Sequence, residues 1–159
     1  MPDLINKTPD NNDFRKKGLA LSEEFALLEG RRPRILIGRD TYTLAGSINK
    51  ICNTLADMGF DVDIAPKLKE IKELATQSLE NDTDGILIYS DNCVSFAELL
   101  DFQNRVLTNQ PEIMMSLFVR DSDCRSTLRK YLDQWKIFDT KDNEYSIAYQ
   151  ILSQLLSNS

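Results

Sequence analysis

Five short apolar runs alternate with helical patterns along this chain, and no other feature restricts its fold as much. The runs are Ile35-Leu36-Ile37-Gly38, residues 60–64, Ile86-Leu87-Ile88-Tyr89, residues 113–119 and Ile137-Phe138. Runs this short read as strands, and Ile35-Leu36-Ile37-Gly38 is an apolar run of the kind buried in parallel sheets. The segments between them carry helical spacing. Residues 45–58 place Ile48, Ile51, Cys52 and Leu55 on one side and end at Gly59, where a C-cap is expected. Residues 67–80 do the same with Leu68, Ile71, Leu74, Ala75 and Leu79, and Asn81-Asp82-Thr83-Asp84-Gly85 breaks the pattern. Ser95 caps a further helix running to about Leu107, residues 122–135 form the next, and residues 144–156 close the chain.

Strands separated by helical stretches of roughly 10–15 residues build βαβ units, whose right-handed crossovers put helices on both faces of a parallel sheet. Five such units predict a flavodoxin-like α/β sheet with strand order 2-1-3-4-5, which the 159 residues accommodate as a single domain. Residues 1–11 are polar and aperiodic and read as a disordered tail. Residues 12–30 read as an N-terminal helix with Phe14, Leu21, Phe25 and Leu28 inward and Gly30 as its stop, and 31–159 as the domain itself. In this topology ligands lie beyond the carboxyl ends of the strands, here the loops after Gly38, Tyr89 and Val119.

Composition narrows the chemistry. The chain has no histidine, which removes Ser-His-Asp and Cys-His nucleophiles and every His-ligated metal. Nineteen Lys and Arg against 25 Asp and Glu give a net charge of −6, which opposes broad binding to nucleic acid or an anionic membrane. Cys52, Cys93 and Cys124 are an odd set without a CxxC pair, and their spacing matches no zinc or disulfide framework. Cys52 reads as a small core hydrophobe, and Cys93 and Cys124, near the ligand-edge loops, read as free thiols without a neighbouring base. With no apolar run near 20 residues and no secretory h-region, a cytoplasmic location is expected.

The segments EEFALLEGRRPRIL at residues 23–36 and ADMGFDVDIAP at residues 56–66 resemble the cobalamin-binding domain of methylmalonyl-CoA mutase and related acyl-CoA mutases. The order of elements from Glu23 to Leu156 follows that family too, including Ala75-Thr76-Gln77-Ser78 and Glu98-Leu99-Leu100. The resemblance implies a flavodoxin-like domain holding cobalamin against the barrel that carries the acyl-CoA substrate. In that family the loop after the first strand carries Asp-x-His-x-x-Gly, whose His binds cobalt and whose Asp orients the His.

Here that loop reads Gly38-Arg39-Asp40-Thr41-Tyr42-Thr43-Leu44-Ala45-Gly46. The ligand position falls near Thr43 or Leu44, neither a cobalt donor. The loop after the third strand, beginning Ser90-Asp91-Asn92-Cys93, is shorter than the family's, and Phe118 and Val119 stand where the family has a Gly-Gly pair that lets the nucleotide tail pass. The expected picture is a degenerate cobalamin site at Asp40, Thr43, Leu44, Gly46, Ser90, Phe118 and Val119, with no cofactor, no metal and no catalytic residue.

Three functional readings follow. The first is a non-catalytic, cofactor-free relative acting as a protein-binding or structural subunit for an acyl-CoA mutase chain, with Phe25, Leu28, Arg31 and Arg32 as contacts. Some mutases pair a working subunit with a cofactor-free one. Against this, the same segment can simply cover a face of the domain's own sheet. The second is a cobalamin-binding subunit or carrier that leaves the cofactor's own base on cobalt. The third is a receiver-like signalling module using Asp40 and Asp91, although Arg39 stands where a receiver has its second acid. Arg31, Arg32 and Arg34 also offer a phosphate contact, such as that of coenzyme A, set against plain solvated charge on a strand approach. Trp135, Tyr131 and Phe138 read as helix-to-sheet packing.

Overall fold

A computed structural model of the protein describes residues 11–40, 43–66, 71 and 73–158. Eleven elements follow one another: α1 (Asn11–Glu29), β1 (Arg34–Arg39), α2 (Ala45–Asp57), β2 (Asp61–Ile64), α3 (Glu73–Glu80), β3 (Gly85–Ser90), α4 (Phe96–Asn109), β4 (Met114–Val119), α5 (Ser122–Tyr131), β5 (Trp135–Phe138) and α6 (Glu144–Ser157). The strands form one sheet in the order β2-β1-β3-β4-β5, every pair parallel. This is the flavodoxin-like arrangement expected from the alternation.

Side chains of the central strands point alternately to the two faces, and each face is covered by three helices. Ile35, Ile37, Leu87, Tyr89 and Phe118 meet α1, α2 and α6 through Phe25, Ile51, Leu55 and Ile151. Leu36, Ile86, Ile88, Leu117 and Val119 meet α3, α4 and α5 through Leu74, Leu99, Phe102 and Leu128. Being buried on both sides is why β3 and β4 are apolar save for two serines: the Ser116 hydroxyl donates to the Ile86 carbonyl at 2.7 Å, and Ser90 ends β3. Three helix starts carry the caps their sequences call for: Ser95, Asp121 and Asn143 accept from the backbone N–H of Glu98, Cys124 and Ser146.

The first helix is integral to this core. Gly18, Ser22 and Phe25 form its buried side. Gly59, at φ +96°, leaves no room for a Cβ because the Ser22 side chain fills that space. Beyond Gly30, at φ +75°, Arg31 makes a two-pronged ion pair with Asp84, 2.6 and 2.7 Å, and Asp84 also accepts the backbone N–H of Arg34. The 23–36 segment thus covers a face of the domain's own sheet.

Several sequence expectations are corrected. Trp135 belongs to β5, not to the preceding helix: α5 stops at Tyr131, and Trp135 pairs with Met115 while its Nε1 donates to Gln103. Tyr131 is exposed, so the packing role falls to Trp135 and Phe138 alone. Of the helix expected over residues 67–80, the described part begins at Glu73, with Ile71 in a turn; residues 67–70 and 72 lie outside the described residues, as do 1–10 of the expected tail. Leu28 and Leu79, read as inward, are 62% and 50% exposed.

Candidate functional site

The crevice that this topology reserves for a ligand lies where β1 and β3 diverge at their carboxyl ends, with β4 beside them. Asp40 follows directly on β1. One carboxylate oxygen accepts both the backbone N–H and the hydroxyl of Thr43, at 2.8 and 2.7 Å, and the other accepts the Ser90 hydroxyl at 2.6 Å. Thr43 and Ser90 are 1% and 0% exposed. The Thr43 hydroxyl in turn accepts from the Asp91 backbone N–H, and the Ser90 hydroxyl from that of Asn92. A single carboxylate therefore organises the loops after both strands.

A second layer lies above it. The Asp91 side chain accepts from the Ser47 hydroxyl at 2.8 Å and from Arg120, whose Nε and Nη2 stand 3.3 and 3.2 Å away. Arg120, just beyond β4, also lies over the Phe118 ring, 5.5 Å from its centroid. Phe118 stacks on Tyr89 with centroids 4.4 Å apart and planes 13° from parallel. Burial pushes the Tyr89 phenol up from its ordinary pKa, with Arg120 pulling against that shift.

The positions read as a degenerate site meet different fates. Asp40, Thr43 and Ser90 converge, whereas Phe118 stacks on Tyr89 in one core layer and Val119 lies in the other. Phe118 and Val119 are the last residues of β4 itself and not of a loop after it. Leu44 starts α2 with its side chain 72% exposed, and Gly46 faces open space. Thr41 and Tyr42 lie outside the described residues. The residues present do not fit a cobalamin held by a protein base: Thr43 is spent on Asp40 and Asp91, Leu44 has no donor atom, and the Phe118–Tyr89 stack occupies space where a glycine pair would leave a passage.

Both acids that a receiver would use are engaged within the chain, Asp40 by Thr43 and Ser90 and Asp91 by Ser47 and Arg120. No group of three or more His, Cys, Asp or Glu among the described residues is arranged to hold a metal ion. Of the supposed contact residues, Phe25 is core and Arg31 is committed to Asp84, whereas Leu28 and Arg32 stay on the surface. Leu27, 87% exposed, extends that surface.

The structure overturns the reading of Cys93 and Cys124 as free thiols. They form a disulfide, Cα atoms 5.8 Å apart, that ties the loop after β3 to the first turn of α5. The signal was present in the topology: β3 and β4 are neighbours, and the two cysteines come three and five residues after their ends. Ser47 and Arg120 were also missed, because neither stands at a motif position. Cys52 is the core thiol expected, and burial pushes its pKa to about 11.

Fold and crevice together define a doubly wound parallel α/β domain whose ligand edge is closed by its own side chains. Comparison with known proteins places it further. The methylmalonyl-CoA mutase large subunit of Propionibacterium freudenreichii subsp. shermanii is 38% identical over 81 residues, 49% of this chain and 10% of that protein. Methylmalonyl-CoA mutase of Escherichia coli K12 is 39% identical over 67 residues, 40% of this chain and 9% of that one. The mitochondrial enzyme of Bos taurus is 40% identical over 63 residues, 38% and 8% of the two chains. The chain is therefore homologous to methylmalonyl-CoA mutases, while spanning about a tenth of their length. No protein-family model matches it. Among solved structures, a pilus assembly-related protein of Burkholderia pseudomallei matches with a TM-score of 0.59 at 12% identity, covering 78% of this chain and 90% of that one, which shows a shared fold alone. Among the described residues, no helix is long and apolar enough to cross a membrane.

Proposed function

We propose that this chain is a non-catalytic, cofactor-free homologue of the mutase cobalamin-binding domain that serves as a protein-binding or structural subunit, its partner an acyl-CoA mutase chain. The observation that carries the reading is the closed crevice. Asp40 binds Thr43 and Ser90, Asp91 binds Ser47 and Arg120, and every one of these groups is already satisfied inside the chain. A cofactor tail entering there would have to break charge-assisted hydrogen bonds and displace an aromatic stack, with no histidine in the chain to repay it at cobalt.

The partner is inferred from the homology: the chain corresponds to about a tenth of a mutase, so its relatives carry the rest of their length beside the matching segment. Leu27, Leu28 and Arg32 are among the residues of the matching N-terminal segment that the fold leaves outward, beside Glu23, Glu24 and Glu29. Sedimentation of the chain with a purified acyl-CoA mutase tests this. A co-sedimenting complex weakened at least tenfold by Leu28→Asp is the expected outcome; independent sedimentation at micromolar concentrations of both proteins would remove the partner from the proposal.

A further inference from the structure

We propose that Cys93 and Cys124 form a thiol–disulfide exchange site that latches the β3–α4 loop to α5, and that a dithiol reductant opens it. The bond crosses the seam between two of the loops that close the crevice. Cys93 is exposed and Cys124 half-buried, so reagents reach this sulfur pair, whereas Cys52 is enclosed in the core. In a reducing compartment a pair of this kind closes only when conditions turn oxidising, which is where regulatory disulfides are found.

The other ties across the seam are thin. The backbone N–H of Arg120 donates to Ser90 at 3.2 Å and that of Asp121 to Asn92 at 3.3 Å. The Arg120–Asp91 pair has side chains 52% and 25% exposed, in the range where ion pairs are weak and screened by salt. Val94, next to Cys93, is buried beneath the loop and held by packing. Phe96 at the start of α4 meets Tyr131 at the end of α5, ring centroids 5.6 Å apart, so release of the loop also loosens an exposed aromatic pair. The cross-link is therefore the strongest local restraint on how α4 and α5 sit beside each other at this edge.

The exchange is ordinary. A thiolate of the dithiol attacks Cys93 Sγ, the Sγ–Sγ bond breaks, and Cys124 leaves as a thiolate that takes up a proton. The second thiol of the reductant then displaces Cys93 Sγ, which is protonated in turn. Two electrons enter the protein, and the dithiol departs as a cyclic disulfide. This inference stands apart from the choice of partner and from the absence of a cofactor.

Thiol titration with hydrogen exchange read by mass spectrometry tests it, on the full chain purified without reductant. Native protein should show essentially no reactive thiol, two after dithiothreitol, and three once unfolded as well. Reduction should speed exchange at residues 90–98 and 119–126 about tenfold or more while leaving β1 and its partners unchanged, because local opening is set by the restraints on that segment. The double variant Cys93→Ser, Cys124→Ser should match the reduced protein. Three free thiols in the unreduced, unfolded protein would overturn the proposal. So would unchanged exchange on reduction, and so would acceleration spread evenly over the sheet, which would mark a global staple and not a latch.

Discussion

Asp40 carries more of the crevice than any other residue, because its two oxygens satisfy a buried backbone N–H and two nearly inaccessible hydroxyls. Asp40→Ala leaves those donors without a partner and should cost about 2–4 kcal/mol in urea unfolding, whereas Asp91→Ala, whose cationic partner is half exposed, should cost less than about 1 kcal/mol. Equal losses would show that the two acids are not in different layers. Cys52 gives a prediction in pH. Burial holds its folded pKa at about 11, above the ordinary 9.0 of a thiol, so the thiol's contribution is complete below about 9 and is lost as pH climbs through 11. Over that interval wild type should lose on the order of 2–3 kcal/mol that Cys52→Ala does not lose, read as the difference between their alkaline denaturation curves. At this scale the sequence showed which residues bordered the crevice and hid how they bond. Asp40 and Ser90 are fifty positions apart, and a hydrogen bond over that separation exists only once β1 and β3 are side by side.

Among the elements, the strands were easier to read than the ends of the helices. Strands buried on both faces have no polar alternative, and Ile88→Ala, at 0% exposure in β3, should cost about 2–5 kcal/mol on chemical unfolding; a loss under about 1 kcal/mol would take Ile88 out of the core. The end of α5 was misplaced for a physical reason. Leu128, Leu132 and Trp135 keep helical spacing, yet the chain turns at Leu132 and sheet pairing with Met115 captures the tryptophan. The turn into α1's docking site separates two glycines that look alike in sequence. Gly30→Ala meets open space and should cost about 1 kcal/mol from its positive φ, while Gly59→Ala adds a collision with Ser22 and should cost about 1 kcal/mol more. Thermal unfolding of the two variants compares them directly.

The whole molecule is a flavodoxin-like sheet that retains its core and has filled its ligand edge. The alternation of apolar runs was enough to reach the strand order, since parallel sheets leave few topologies open. The disulfide was not reached, because cysteine spacing along the chain says nothing of two loops that meet only in space. That closed edge is tested most directly by cobalamin itself. Purified protein should be mixed with hydroxocobalamin or adenosylcobalamin, passed through gel filtration, and its visible spectrum recorded, alongside Leu44→His and the triple variant Leu44→His, Phe118→Gly, Val119→Gly. Wild type and Leu44→His should both elute colourless, since a donor added at the surface leaves the Phe118–Tyr89 stack in place, with weak colour recovered only in the triple variant. Wild-type protein emerging coloured at near one-to-one stoichiometry would contradict the closed crevice and make the chain a cobalamin carrier.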